Sequence, residues 1–306
     1  MNTCPFFGKC GGCKYDFAAA DYRENKLKEL RNTTPTDAPV WIAPGTRRRA
    51  DFCFAGGEFG LFERGTKNII PVRRCPNLLP EINDILPQIA DLPWNGAGAC
   101  LITACDNGID IGITSDVAFF APKFKKAIEK LPIVRATWNG RVIFQRVVPT
   151  VNFAGHTTEY PAGAFLQPSI AGADALREMV VTAAGHGRVA DLFCGLGNFT
   201  FALNADGFDI MGTGCNRDLF KKPVTVGMLK QYDCVIMDPP RAGAIAQCRE
   251  IIKSEVPRVI YVSCNPETFR RDAEILTGGG YKITKLVPVD QFVGSAHWEL
   301  FAIFDK

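Results

Sequence analysis

What this 306-residue chain lacks narrows its class before any motif is read. No apolar run reaches the roughly 18 residues that cross a bilayer, so no membrane span or membrane partner is expected. The N-terminus opens on Cys4 and Pro5 where a secretory signal would show a basic and then an apolar stretch, which makes a cytoplasmic protein the expectation. Strong charge bias is missing as well. The formal net charge of +3 neither demands nor excludes a nucleic-acid partner. Internal repeats and low-complexity tracts are absent. The remaining composition, 47% hydrophobic and 22% charged, is globular and long enough for two or three units.

Cysteine, by contrast, is abundant: twelve residues in a chain without a secretory signal point to metal, catalysis or core packing sooner than to disulfides. Cys4, Cys10 and Cys13 form a C-x5-C-x2-C pattern on a glycine-rich loop, and Cys75, followed by a proline, is the natural fourth ligand. Spacing alone leaves an iron-sulfur cluster, zinc and free structural cysteines open. A helix over about Asp21 to Arg31 is expected to pack this loop against the rest, and Thr33 to Pro39 reads as a linker. Three basic clusters could hold phosphates: Arg47, Arg48 and Arg49; Arg73 and Arg74; Lys123, Lys125 and Lys126.

Residues 40 to 160 read as β-rich and α+β. A hairpin is expected around Gly56-Gly57 and another pair of strands around Asp106-Asn107-Gly108. Leu78 to Leu92 is helical in period, with Pro80 and Pro87 expected to split it into two pieces. RVIFQRVVPTVNF reads as one strand. From Pro161 the period changes to alternating strand and helix, beginning with a helix at Ala171 to Ala184. The strand RVADLFCG turns through Gly195-Leu196-Gly197-Asn198 into another helix, which lets a ligand approach the backbone. The turn lacks the third glycine of the dinucleotide fingerprint, which disfavours a nicotinamide cofactor. Two further apolar runs, VIMDPPRAG and VIYVSCNPETF, read as buried parallel strands that deliver Asp238 and Cys264 to one sheet edge.

Taken in order, DLFCGLGNFT, MDPPRAG, YVSCNPETFRRD and the terminal HWE, with the N-terminal cysteines, resemble the iron-sulfur RNA (uracil-5-)-methyltransferases. The resemblance covers nearly the whole chain. It implies a class I S-adenosylmethionine-dependent (Rossmann-like) α/β sheet over residues 161 to 306. A central RNA-binding region would span 40 to 160 and a cluster segment 1 to 39, completed by Cys75. It further implies a 4Fe-4S cluster on Cys4, Cys10, Cys13 and Cys75, S-adenosylmethionine as cofactor, and RNA as partner of a monomeric enzyme. Cys264 would be the nucleophile, Glu299 the base, and Asp238 the group that orients the uracil. Gln167, Asp191, Gly195, Gly197, Asn198, Asp218 and Asp238 would bind the cofactor, and Phe165 and Arg241 the substrate. Cys194 and Cys234 read as core, Trp298 as packing and His297 as structural.

The residue types suit the chemistry. Uracil C5 becomes nucleophilic only after a thiolate adds at C6, and the C5 proton must then be removed by a base. The short form, without room for an N-terminal RNA-binding barrel, most resembles the 23S ribosomal RNA enzymes. The cysteine set argues against tRNA. One departure stands out. Residues 215 to 233 leave too little chain for the usual third strand and its helices, so that strand is expected to be missing or vestigial. With the second strand read as GFDIMGTG, its end carries Thr213, Gly214 and Cys215 in place of the ribose carboxylate. Weak cofactor binding is the consequence expected, with Asp218 left to hold the nucleoside. Other readings are a non-catalytic RNA-binding protein with a degenerate cofactor pocket, an adenine amino-group methyltransferase and a cytosine-C5 enzyme. Arg241 after Asp-Pro-Pro, where the adenine enzymes have an aromatic, and the terminal Glu299 disfavour the last two.

Overall fold

The computed structural model describes residues 4–30, 33, 35–118 and 122–306. Arg31 and Thr34, which bear on the expected first helix and linker, lie outside them. Among the described residues no helix is long and apolar enough to cross a membrane.

The central part is a seven-stranded sheet of β2 (Arg49–Ala55), β3 (Glu58–Phe62), β4 (Ile69–Ile70), β5 (Ala97–Cys105), β6 (Gly108–Ser115), β7 (Ile133–Trp138) and β8 (Arg141–Gln145). They lie in the order β4-β3-β2-β5-β6-β7-β8. Both expected hairpins form: Ala55 pairs with Glu58 around the Gly56-Gly57 turn, and Cys105 with Gly108. Helices α2 (Pro80–Ala90) and α3 (Pro122–Ile128) pack on the sheet through Ile82, Leu86, Ile89, Phe124 and Ile128. The expected break in α2 does not occur. Pro80 occupies the first helical turn, where no N–H is needed, and four buried apolar side chains carry the helix through Pro87. The run RVIFQRVVPTVNF, expected as one strand, divides into β8 and β9 (Thr150–Phe153). Pro149 stands between them and offers no N–H to a ladder. A hairpin with β10 (His156–Glu159) follows.

The C-terminal part is an eight-stranded sheet. It comprises β1 (Val40–Trp41), β11 (Val189–Leu192), β12 (Asp206–Asp209), β13 (Cys215–Asn216), β14 (Cys234–Met237), β15 (Arg258–Ser263), β16 (Lys282–Asp290) and β17 (Glu299–Asp305). Their order is β1-β16-β17-β15-β14-β11-β12-β13. Every residue of β11 and β14 is buried, the pattern of parallel strands covered on both faces. Helix α4 (Ile170–Ala184), capped by the Ser169 hydroxyl, packs through Leu176 and Val180; the short α5 (Thr200–Leu203) and α6 (Val226–Leu229) follow, and α7 (Ile245–Ser254) and α8 (Pro266–Gly278) pack through Ile251 and Leu276. The third strand survives as the two residues of β13 at the sheet edge, the vestige expected from the short sequence. The chain leaves β11 toward β12 on one side and resumes at β14 on the other. A crevice at the carboxyl ends of the strands follows from that reversal.

Helix α1 (Tyr22–Leu27) closes the N-terminal segment onto this sheet. Lys26 and Asp290 form an ion pair with both side chains fully buried, and the Tyr22 hydroxyl donates to Asp290 Oδ2 at 2.6 Å. Removing one partner strands a charge in the interior. Lys26→Met is therefore expected to lower the unfolding free energy by about 3 to 5 kcal/mol in urea titration at neutral pH. A loss under about 1 kcal/mol would show that the pair contributes no more than a surface pair.

Candidate active site

The crevice is a cavity of about 590 Å³ at the carboxyl ends of β11, β12, β14 and β15. Asp238 follows β14 and Cys264 follows β15. Glu299 reaches the same edge by a different route: β17 runs antiparallel to β15, with Ser263 opposite Leu300, so the first residue of β17 lies beside the last of β15. The loops after β14 and β15 are locked together. The Arg241 carbonyl accepts from Asn265 Nδ2 at 3.0 Å and from Thr268 Oγ1 at 3.1 Å. Cys264 immediately precedes the Asn265 cap of α8.

Gln167, Gly195, Asp218, Phe165 and Arg241 also line the cavity, so most of the expected site residues converge. Asp191, Gly197 and Asn198 do not line it. The Asp191 carboxyl is fully buried and accepts from Thr200 Oγ1 at 2.6 Å, while Asn198 accepts from Arg177 at 2.9 Å. They shape the turn after β11. Phe165 is 65% exposed, with the Arg49 guanidinium 5.3 Å from its ring centre. The arginine run is not a uniform phosphate surface: Arg48 is buried and bonded to the Ala104 carbonyl and Asp106.

The expected loss of the second-strand carboxylate is overturned. Strand β12 ends at Asp209, not Gly214, and Asp209 lines the cavity. Its Oδ2 accepts from Gly195 N at 2.9 Å and its Oδ1 from Met211 N at 3.0 Å. The chain then folds back on the glycine turn: Thr213 N donates to the Gly195 carbonyl, and a Cβ at Gly212 would lie 1.9 Å from that oxygen. Only glycine fits there. Each carboxylate oxygen still has a lone pair for a ligand. The acidic residue directly after Phe208 was the available signal for the strand end. Gln291, which bridges Glu299 and Gln167, is a second residue that no motif marked.

Burial dominates the electrostatics. It pushes Asp191 up to about 7, and Asp238 up to about 7 with the charge of Asp191 adding to the rise. Glu299, 2% exposed, is held well above the usual carboxylate range by burial and then by Asp238. Burial likewise pushes the Cys264 thiol up to about 11, Glu299 and Asp238 adding and Arg241 opposing. Position before a helix N-terminus favours a thiolate, but here enclosure outweighs it.

The N-terminal segment carries Cys4, Cys10 and Cys13 and meets the central sheet and the Cys75 loop through a few contacts. Cys10 bridges to Glu63, Gly11 N donates to the Phe62 carbonyl, and Asn77 Nδ2 donates to Cys13 Sγ at 3.5 Å. Burial raises the Cys13 and Cys75 thiols; Cys75, Cys10 and Cys4 raise Cys13 further, while for Cys75 a hydrogen bond from the Asn77 backbone opposes burial and Cys4 and Cys10 add to it. Among the described residues no group of three His, Cys, Asp or Glu side chains stands ready to hold a metal ion.

The chain has relatives among known proteins. An uncharacterized RNA methyltransferase of Agrobacterium fabrum is 33% identical over 98% of this chain and 83% of its own length. Residues 217–306 match the tRNA (Uracil-5-)-methyltransferase family. The chain belongs to the RNA methyltransferases. The 23S rRNA (uracil(1939)-C(5))-methyltransferase of Salmonella typhi is 26% identical over 99% of this chain and 81% of its own. Among solved structures, the Pyrococcus abyssi tRNA (uracil-54, C5)-methyltransferase, determined with S-adenosyl-L-homocysteine, superimposes with a TM-score of 0.71. It is 18% identical, covering 93% of this chain and 82% of that one, and shares the fold. That fold is the Rossmann-like sheet of class I methyltransferases expected from the sequence.

A carboxyl whose folded pKa is raised binds more protons in the native than in the unfolded state, so stability falls as pH rises from the unfolded value through the folded one. For Asp238 that window runs from about 4 to about 7. Asp238→Asn is expected to melt above the unmodified protein at pH 8, the advantage shrinking to nothing by about pH 4. Because Asp238 opens partly onto the cavity, solvent reduces the effect. Thermal melts across this range test it, and a pH-independent difference would contradict the assignment.

Proposed function

We propose that this protein methylates C5 of uridine in RNA, with 23S ribosomal RNA as the substrate, through a covalent adduct between Cys264 and C6. The observation that carries the reading is the single cavity in which Cys264, Asp238 and Glu299 meet the turn at Gly195. S-adenosylmethionine, when bound, supplies an electrophilic methyl group. The residues present fit it: Gly195 leaves open backbone, Asp209 and Asp218 offer carboxylates, and Phe193 and Phe220 offer apolar rings. Gln167 and Asp238 complete the cofactor side of the cavity. In this reading Asp209, at the end of β12 and lining the cavity, serves as the ribose carboxylate, so weak cofactor binding is not expected.

In this reading the Cys264 proton passes to solvent and Sγ adds to C6; the electron pair of the C5–C6 double bond then makes C5 nucleophilic toward the methyl carbon, with the cofactor's sulfur leaving as a thioether. Asp238, titrating near neutrality, bonds the uracil edge and fixes the ring, and Arg241 steadies a carbonyl or phosphate. Glu299 takes the C5 proton after transfer. Re-formation of the C5–C6 double bond then expels the Cys264 thiolate. The target base must leave its stack to reach Cys264, which suits loop or single-stranded RNA. Phe165 at the cavity mouth, with Arg49 beside it, offers a stacking surface. The central sheet would hold the RNA backbone. Cys4, Cys10, Cys13 and Cys75 match a 4Fe-4S cluster in kind and number of donors. Held by them, the cluster would serve as a structural staple between the N-terminal loop and the segment before α2.

The test is incubation of anaerobically purified protein with S-adenosylmethionine and total RNA from a strain lacking 5-methyluridine. Nucleoside mass spectrometry should show 5-methyluridine with the unmodified protein and none with Cys264→Ala. Its absence from RNA that the unmodified protein binds would point instead to a binding module.

A further inference from the structure

Gln291 follows β16 directly and is 2% exposed. Its Nε2 donates to Glu299 Oε2 and, at 3.0 Å, to Gln167 Oε1. Gln167 Nε2 in turn donates to Asp238 Oδ2 at 2.8 Å. Two amides in series therefore join two carboxylates, and both N–H groups of Gln291 are used. The Gln291 Oε1 is buried with no partner. An apolar side chain of similar volume would pack there without that cost, so packing alone does not account for a glutamine. The fit is tight on its other side: a Cβ at Gly172 of α4 would lie 2.7 Å from Gln291 Cβ and 3.0 Å from Oε1.

We propose that Gln291 is a positioning residue for proton removal, holding Glu299 as a hydrogen-bond acceptor while locking Gln167 against Asp238. The proposal rests on the reading of Glu299 as the base. One side chain then sets the base relative to the acid that orients the ring. The charged and titratable groups that share the cavity of Glu299 are Asp238, Cys264, Arg241 and His297, with Asp209, Arg217 and Asp218 also in its lining, and the Lys26–Asp290 pair lies next to Gln291. Against the burial and the negative neighbour that favour a protonated Glu299, the Gln291 amide is the group that favours its ionised form. Losing it should slow the proton-removal step ~10-fold or more.

The experiment follows two readouts over a range of pH with S-adenosylmethionine and total RNA from the strain lacking 5-methyluridine. They are release of 5-methyluridine RNA and the fraction of protein in a denaturation-resistant RNA adduct. Gln291→Met removes both donors, and the near-isosteric Gln291→Glu keeps size and polarity should the first variant fold poorly. Both are expected to release product ~10-fold or more slowly, to accumulate the adduct, and to move the rising limb of the pH–rate profile to higher pH. Slower release with an unmoved limb and no adduct, or release at the unmodified rate, would overturn the proposal. Glu299→Gln, run alongside, separates the two readings. If it stalls as adduct while the Gln291 variants do not, only the role of Gln291 falls; if it turns over freely, the base assignment falls and takes this proposal with it.

Discussion

The Asp290 carboxylate, buried at the end of β16, is where the N-terminal segment and the catalytic sheet are tied together. Lys26 neutralises it, and Tyr22 donates to it while accepting from Gly294 N. The Lys26 ammonium also donates to the Phe292 carbonyl, and Trp298 Nε1 donates to the Lys26 carbonyl. Lys14 N and Tyr15 N both donate to the Gly294 carbonyl. The stretch from 290 to 298, which carries Gln291 and leads into Glu299, is thus gripped by the segment that holds Cys4, Cys10 and Cys13. A buried charge that is strongly penalised when unpaired is an exacting way to hold two chain segments in one arrangement.

That arrangement sets the electrostatic character of the cavity. Asp191, Asp238 and Glu299 stand buried on or under one sheet edge, where enclosure and the neighbouring carboxylates make each resist ionisation. Cys264 resists it for the same reason. Groups kept near or above neutrality by enclosure are suited to passing protons at neutral pH, which is what a cycle of thiol addition, proton removal and thiol expulsion requires. Phe165, Ile210, Met211 and Phe220 give the cavity an exposed apolar rim.

The shortened sheet edge shows how a fold can lose an element and keep a site. With the third strand reduced to Cys215–Asn216, the chain returns at once over the glycine turn, and Gly212 permits the close approach. Asp209 then bonds the turn itself through Gly195 N, so the carboxylate helps shape the loop that it sits beside.

Local pattern was enough to show the alternation of strand and helix after Pro161, the hairpin turns and the short third strand. It was also enough to place Asp238 and Cys264 at strand ends, because buried parallel strands are apolar throughout and end where polarity returns. Pattern failed where distant packing decided the outcome. Strand β12 ends at Asp209 and not at Gly214: the apolar Ile210 and Met211 prolong the run past its acidic residue, while contacts of Asp209 and Gly212 with Gly195 turn the chain back. Helix α2 runs through Pro87 because its buried face offsets a missing hydrogen bond. Arg48 leaves its basic run because a carbonyl in β5 claims its guanidinium. Gln291 has no motif at all. Its significance comes from two hydrogen bonds to residues far apart in sequence or on separate strands. The sequence by itself thus determined which chemistry is available, since thiol, carboxylates and glycine turn are local facts. Tertiary structure alone decided their protonation and alignment, because both depend on burial and on partners that only the closed sheet brings together.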